Sequence, residues 1–242
     1  MYYEEFGKRD APVVVMLHGA FFTDTYRGEY ALGQRYHLIV PHIRGFGKAA
    51  DEIFTADAAT EEIKSLIRPC APVFLVGFSL GAQLAFKLLA EEPALFQKAV
   101  VVSPWLVDKD EIPEKMMRGN LKMLAQLKNR MVCQMIGFAS GMPKEKRGEL
   151  AEAMQRVSEQ TVRNCVDNGI ALRENGPFDG CPVSVLALAG EKESEAVRRS
   201  VQAMAAKGAA CRCEIWPRAK HNIPMAFAKK LTQTIDAFFR ET

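Results

Sequence analysis

Short, unbroken apolar runs alternate along this chain with longer segments in which apolar residues recur every three or four positions. Unbroken runs of five or six residues suit strands buried on both faces, and the three-to-four spacing suits helices packed on one side. Strands are predicted at Pro12 to Leu17, Tyr36 to Pro41, Val73 to Gly77, Lys98 to Ser103, Pro182 to Ala189 and Cys211 to Trp216. Helices are predicted from Thr55 to Ile67, from Ser79 to about Glu92 where Pro93 stops the run, near Glu195 to Lys207, and near Pro224 to Arg240. The first residues suggest an added antiparallel edge strand. Strand–helix alternation of this kind predicts an α/β fold, a mostly parallel sheet flanked by helices.

The alternation fails once. From about Asp108 to Pro177 only helical periodicity is present, in Leu121, Leu124, Leu127, Met131 and Met135, and again in Leu150, Met154, Val157, Thr161 and Cys165. The expected division is a core of 1–107 and 178–242 interrupted by an all-helical cap at 108–177. Such an insertion between two strands would lie over the carboxyl end of the sheet, where open α/β sheets bind ligands.

Composition narrows the class. The 242 residues are 48% hydrophobic and 25% charged, enough to bury a large core in one domain. A net charge of +3 gives no reason to expect nucleic acid or a membrane surface as a partner. No apolar run reaches about 18 residues, and the Met1-Tyr2-Tyr3-Glu4-Glu5-Phe6 start lacks the basic and apolar regions of a secretory signal. The six cysteines show no Cys-x-x-Cys spacing, and Cys211 and Cys213 share one strand face, which suits packing better than metal ligation. A reduced, cytoplasmic protein without a metal is expected.

The candidate chemistry centres on Gly77-Phe78-Ser79-Leu80-Gly81. In this G-x-S-x-G pattern the serine occupies a sharp strand-to-helix turn, and the glycines let the two elements approach. By composition the pattern would arise about 0.1 times by chance in a chain this long, so its setting matters. A buried strand precedes it and a good helix follows. Gly137-Phe138-Ala139-Ser140-Gly141 has the serine displaced by one and no strand before it, and is set aside.

Taken with Leu17-His18-Gly19 at one strand end, the Arg44-Gly45-Phe46-Gly47 turn and Lys220-His221-Asn222 near the C-terminus, the elbow resembles the α/β-hydrolase superfamily over nearly the whole chain. The resemblance implies a Ser-acid-His triad without a cofactor. Ser79 would be the nucleophile and His221 the base. The acid is expected in the loop after the strand that follows the cap, at Glu193, where relatives commonly carry Asp; Glu191 and, more distantly, Asp108 are the alternatives. The backbone amides of Ala20 and Leu80 would form the oxyanion hole, and Phe21 and Phe22 would wall the substrate pocket. His18 looks like the loop histidine beside that hole, and His37 looks like strand packing. The chain departs from the Asp-x-Arg-Gly-x-Gly-x-Ser stretch of similar hydrolases, with His42 in place of Asp and Ala49 in place of Ser.

The expected activity is hydrolysis of a small apolar carboxylic ester or thioester through an acyl-enzyme. A ligand sensor on the same fold, or a carbon–carbon bond hydrolase with the same triad, are the alternatives. A serine nucleophile excludes the Asp-dependent haloalkane dehalogenases and epoxide hydrolases of the superfamily. Seven of the eleven methionines fall in the cap, which suits a flexible lid over an acyl or aryl pocket and equally a loosely packed helical pair. Between Glu114 and Glu149 there are eight Lys/Arg and three Glu, so an anionic acyl-carrier partner is a candidate, recognised through Lys122, Lys128 and Arg130.

Overall fold

The protein is described by a computed structural model covering residues 1–106, 114–139, 141–167, 170 and 178–241. Seven strands form one sheet: β1 (Tyr3–Phe6), β2 (Val13–Leu17), β3 (His37–Pro41), β4 (Val73–Phe78), β5 (Phe96–Val102), β6 (Ser184–Gly190) and β7 (Cys211–Trp216). Their order is β1-β3-β2-β4-β5-β6-β7. Among the described strands only β1 is antiparallel, pairing with β3 from Tyr3↔Pro41 to Phe6↔Leu38. The α/β expectation holds, and so does the antiparallel edge.

Burial on both faces explains the unbroken apolar runs. Along β2, Val14 and Met16 face one core with Phe74, Val100, Leu186, Leu231 and Phe239, while Val15 and Leu17 face the other with Leu75, Val101, Ala187 and Leu84. Fully burying each such side chain contributes about 1.5–3 kcal/mol. The second core is roofed by α1 (Ala56–Ile67), α2 (Leu80–Glu91) and, further along the chain, α7 (Glu195–Lys207); α9 (Ala228–Arg240) covers the first. Thr55 caps α1 by accepting from the Ala58 amide. The predicted last helix is two: α8 (Ile223–Ala226) ends at Phe227, whose non-helical backbone also begins α9.

Among the described residues, four helices lie between β5 and β6: α3 (Glu114–Lys128), α4 (Arg130–Ala139), α5 (Lys144–Arg156) and α6 (Glu159–Asp167). Leu124, Leu127, Leu150, Met154, Val157 and Thr161 are buried as their spacing predicts. Met131 and Met135 are not: α3 stops at Lys128, Asn129 caps α4 by accepting from the Met131 amide at 3.1 Å, and the two methionines are 71% and 65% exposed. On α6, Thr161 Oγ1 accepts from the Phe54 amide at 3.2 Å and Asn164 donates to the Phe54 carbonyl at 2.8 Å, which seats the helices on the core. Asp108 and Ser140 lie outside the described residues. Among the described residues, no helix is long and apolar enough to cross a membrane.

A short 3₁₀ segment, Arg27–Gln34, packs beside α9 and was not legible as helix because it has no α period. It buries Glu29 completely, and neither carboxyl oxygen has a hydrogen-bond partner among the described residues. Burial pushes this carboxyl up to about 9, so it is neutral at pH 7. An unfolded chain would ionise it near 4.5. Its raised folded value therefore favours folding fully only below about pH 4.5, and that contribution is lost as pH rises toward 9. At pH 7 the loss is about 3 kcal/mol. Glu29→Gln is expected to unfold at a higher temperature than the wild type at pH 8, with the difference shrinking toward pH 5; thermal melts across this range check it.

Candidate active site

The strand order reverses between β2 and β4, since the chain goes from β2 outward to β3 and from β4 outward to β5. A crevice opens at the carboxyl ends of such a pair. Gly19 and Ala20 follow β2 there, and Ser79 follows β4. The turn at Ser79 is tight: φ is 53° and ψ −113°, a region that side chains other than glycine avoid. Its glycines are required by contact. A Cβ on Gly77 would stand 2.4 Å from the Gly81 carbonyl oxygen, and one on Gly81 would stand 2.0 Å from that of Leu17.

Backbone bonds tie the loops at this end of the sheet together. The Ser79 amide donates to the Val102 carbonyl at 2.9 Å, that of Ser103 to Leu188 at 2.7 Å, and that of Glu191 to Trp216 at 3.0 Å. The loop after β6 is closed by the Glu193 amide on the Gly190 carbonyl, and Arg198 of α7 donates to the Glu191 and Glu193 carbonyls.

On this frame the structure brings Ser79, His221 and Glu193 into one line. Ser79 Oγ is 2.9 Å from His221 Nε2, and His221 Nδ1 is 2.7 Å from Glu193 Oε2. The carboxylate holds the imidazole proton on Nδ1 and leaves Nε2 to accept from the hydroxyl. Half of the His221 side chain is open to the crevice, whereas that of Glu193 is 1% exposed. Burial alone would raise the Glu193 carboxyl, but donors from His221, the Gly190 amide and Ser103 outweigh it and hold the group below the ordinary carboxylate value. Glu191 does not reach His221; its Oε2 accepts from the Arg218 amide at 2.8 Å.

Ser103 was not singled out in the sequence. Its hydroxyl donates to Glu193 Oε1 at 2.7 Å, beside the Gly190 amide at 2.8 Å, from a fully buried position with φ of 54°. The signal available was a polar residue ending an otherwise apolar strand at the ligand-binding end of the sheet.

The remaining histidines are occupied elsewhere. His18 Nδ1 donates to the Gly19 carbonyl at 2.6 Å and its Nε2 accepts from the Ile43 amide at 3.0 Å, which uses both ring nitrogens of a neutral imidazole. Burial lowers it to about 3, so it stays neutral and pins the Gly19–Ala20 loop. His37 pairs with Glu5 at 2.9 Å on the edge strand. His42 accepts from the Lys48 amide at 2.9 Å, and burial with nearby lysines lowers it to about 4.

Two lobes of a cavity meet at Ser79 and His221. The first, about 730 Å³, is lined by Phe21, Phe22, Phe78, Met116, Met123 and Met225 among others. The second, about 530 Å³, is lined by Ala20, Leu80, Gln83, Trp105, Asn120 and Val197, with Lys192, Ser194 and Lys220. Leu80 opens α2, so its amide has no acceptor within the helix. Ala20 begins a three-residue turn closed by the Phe22 amide on the Ala20 carbonyl, with Phe21 at φ 71°. Both expected oxyanion residues thus lie beside Ser79. Phe22 faces the apolar lobe; Phe21 also lines it but is mostly buried against Phe46, ring centroids 5.8 Å apart. Of the seven methionines between β5 and β6 only Met116 and Met123 line these two lobes, and Met154 is core.

Solved structures share this architecture. An esterase from Exiguobacterium antarcticum superposes with a TM-score of 0.76 at 20% identity, covering 99% of this chain and 95% of that one. A meta-cleavage product hydrolase gives 0.77 at 15% identity, covering 99% and 94%, and an epoxide hydrolase from Vigna radiata gives 0.73 at 18%, also covering 99% and 94%. At these identities the likeness shows the fold. No protein of curated function matches the sequence. Residues 14–233 match the profile of the alpha/beta hydrolase family, and the chain belongs to that family.

Proposed function

We propose that this hydrolase is a serine esterase that cleaves a carboxylic ester or thioester of a small apolar acyl substrate through an acyl-enzyme. The observation that carries this reading is the unbroken hydrogen-bonded line from Ser79 Oγ through His221 to the buried Glu193 carboxylate. A serine hydroxyl is a weak nucleophile until a neighbouring base takes its proton. In the proposed cycle Ser79 attacks the carbonyl carbon while His221 Nε2 accepts the proton. The Ala20 and Leu80 amides receive the oxyanion, each such donor contributing about 2.7–4 kcal/mol. His221 then protonates the leaving alcohol or thiol, and water repeats the sequence to free the acid.

Six unpaired cysteines suit a reducing compartment, so we place the enzyme in the cytoplasm. An acyl-carrier partner remains a proposal: on the cap, Arg130 faces Glu152 at 3.8 Å, while Lys122 is exposed. Neutralising Lys122, Lys128 and Arg130 is expected to lower turnover of a carrier-linked ester, and unchanged turnover would remove the carrier from the proposal.

The direct test is covalent labelling by a fluorophosphonate. The wild type is expected to label at Ser79 and Ser79→Ala to remain unlabelled. An unlabelled wild type would sink the esterase reading and favour a ligand sensor. With labelling established, p-nitrophenyl esters of increasing acyl length report the depth of the apolar lobe.

A further inference from the structure

We propose that the natural substrate is an anion: an ester with an apolar part held among Phe22, Met123 and Met225, and a carboxylate that meets Lys192 and Lys220. This inference rests on the proposed nucleophilic role of Ser79.

The two lobes flank the nucleophile and differ in chemistry. The first is walled by aromatic rings and methionines. The second adds the Gln83 and Asn120 amides, Ser194, and the two lysines. Among the described residues lining both lobes, the cations are Lys115, Lys192 and Lys220, and the only carboxylate is Glu193. Both Glu193 oxygens are already occupied, by Ser103 and Gly190 on one and His221 on the other. The lining therefore carries three cations against one carboxylate, and that carboxylate is turned toward its own donors.

Four lysines elsewhere in the chain are neutralised by carboxylates. Lys64 bridges Glu61 and Glu91, Lys87 meets Asp57, Lys146 meets Glu4, and Lys207 meets Asp179. No ion pair joins Lys115, Lys192 or Lys220 to any described residue. Lys192 and Lys220 are also placed by fixed backbone. The Lys192 amide donates to the carbonyl of Ala219, and the two lysines adjoin Glu193 and His221 in sequence. The same lobe is walled by Trp105, Val166 and Val197, and the field of the two ammonium groups attracts an entering carboxylate. Low-dielectric walls focus such a field on the entering ligand.

The test uses matched ester pairs that differ only in charge. The p-nitrophenyl half-ester of adipate is compared with that of adipamate, which puts the charge on the acyl side. For the alcohol side, 4-butanoyloxybenzoate is compared with 4-butanoyloxybenzamide. The wild type is expected to prefer the anionic member of at least one pair by about tenfold in kcat/KM. That preference should shrink at 0.5 M NaCl, where screening shortens the reach of charge, and collapse toward unity in Lys192→Ala/Lys220→Ala, chiefly through KM. If an ester pair is not turned over, protection of Ser79 from fluorophosphonate by adipate against adipamide is read the same way. Equal handling of both members, or a preference that survives the double variant, would overturn the anionic substrate. Because fluorophosphonate labelling of the wild type is scored separately, a labelled enzyme without charge preference fails this inference alone, and an unlabelled one fails the esterase reading with it.

Discussion

Ser79→Ala is expected to lower kcat toward ester substrates on the order of 10⁵–10⁶-fold, with little change in KM. The hydroxyl is the only atom group lost, and the elbow that holds it is shaped by Gly77, Gly81 and the bond from the residue-79 amide to Val102, none of which the substitution touches. The variant should therefore fold, and its residual rate should reflect the two amides alone. Steady-state kinetics with p-nitrophenyl butyrate measure it. A loss under tenfold would show that Ser79 does not form an acyl-enzyme.

Glu193→Gln carries the second large effect, a fall in kcat on the order of 10³–10⁴-fold. The size follows from how the site constrains the new amide. Ser103 Oγ and the Gly190 amide both donate to the Oε1 position, so a glutamine must put its carbonyl oxygen there. Its NH₂ group then faces His221 Nδ1 in place of Oε2. Nδ1 is forced to accept, the proton moves to Nε2, and the ring can no longer accept from Ser79. Ser103→Ala acts on the same carboxylate with a smaller loss, about tenfold. Because one donor to the charged form is gone, the Glu193 carboxyl rises toward its ordinary value. The acid side of the pH–rate profile should therefore shift to higher pH, while activity near pH 8 falls less. Profiles of kcat/KM against pH for the two enzymes check the shift, and a uniform drop at all pH values would assign Ser103 a merely structural part.

Much of the site was legible in the sequence because its chemistry is local. A serine between glycines, after five apolar residues and before a helical period, describes one turn, and that turn exists at φ 53°. Loop positions directly after strands, such as Ala20, Glu193 and His221, inherit their place from the strand before them. The helices between β5 and β6 were read less well. Leu121 to Met135 keeps a helical spacing through Asn129, yet the helix is interrupted there and Met131 and Met135 lie in solvent. Periodicity reports that a face exists and not what covers it.

What the sequence determined by itself is the α/β architecture and the candidate nucleophile and base, since apolar runs, glycine requirements and strand ends are set by short-range sterics and burial. What only the tertiary structure decided are relations between distant segments. Ser103, 90 positions before Glu193, meets that carboxylate because β5 and β6 are neighbours in the sheet. Glu193 rather than Glu191 reaches His221 because the Gly190 turn and Arg198 orient the loop. Lys192 and Lys220 share one lobe because their loops are joined by a backbone bond. Such contacts depend on sheet order and on where each loop closes, and neither leaves a period or a motif in the chain.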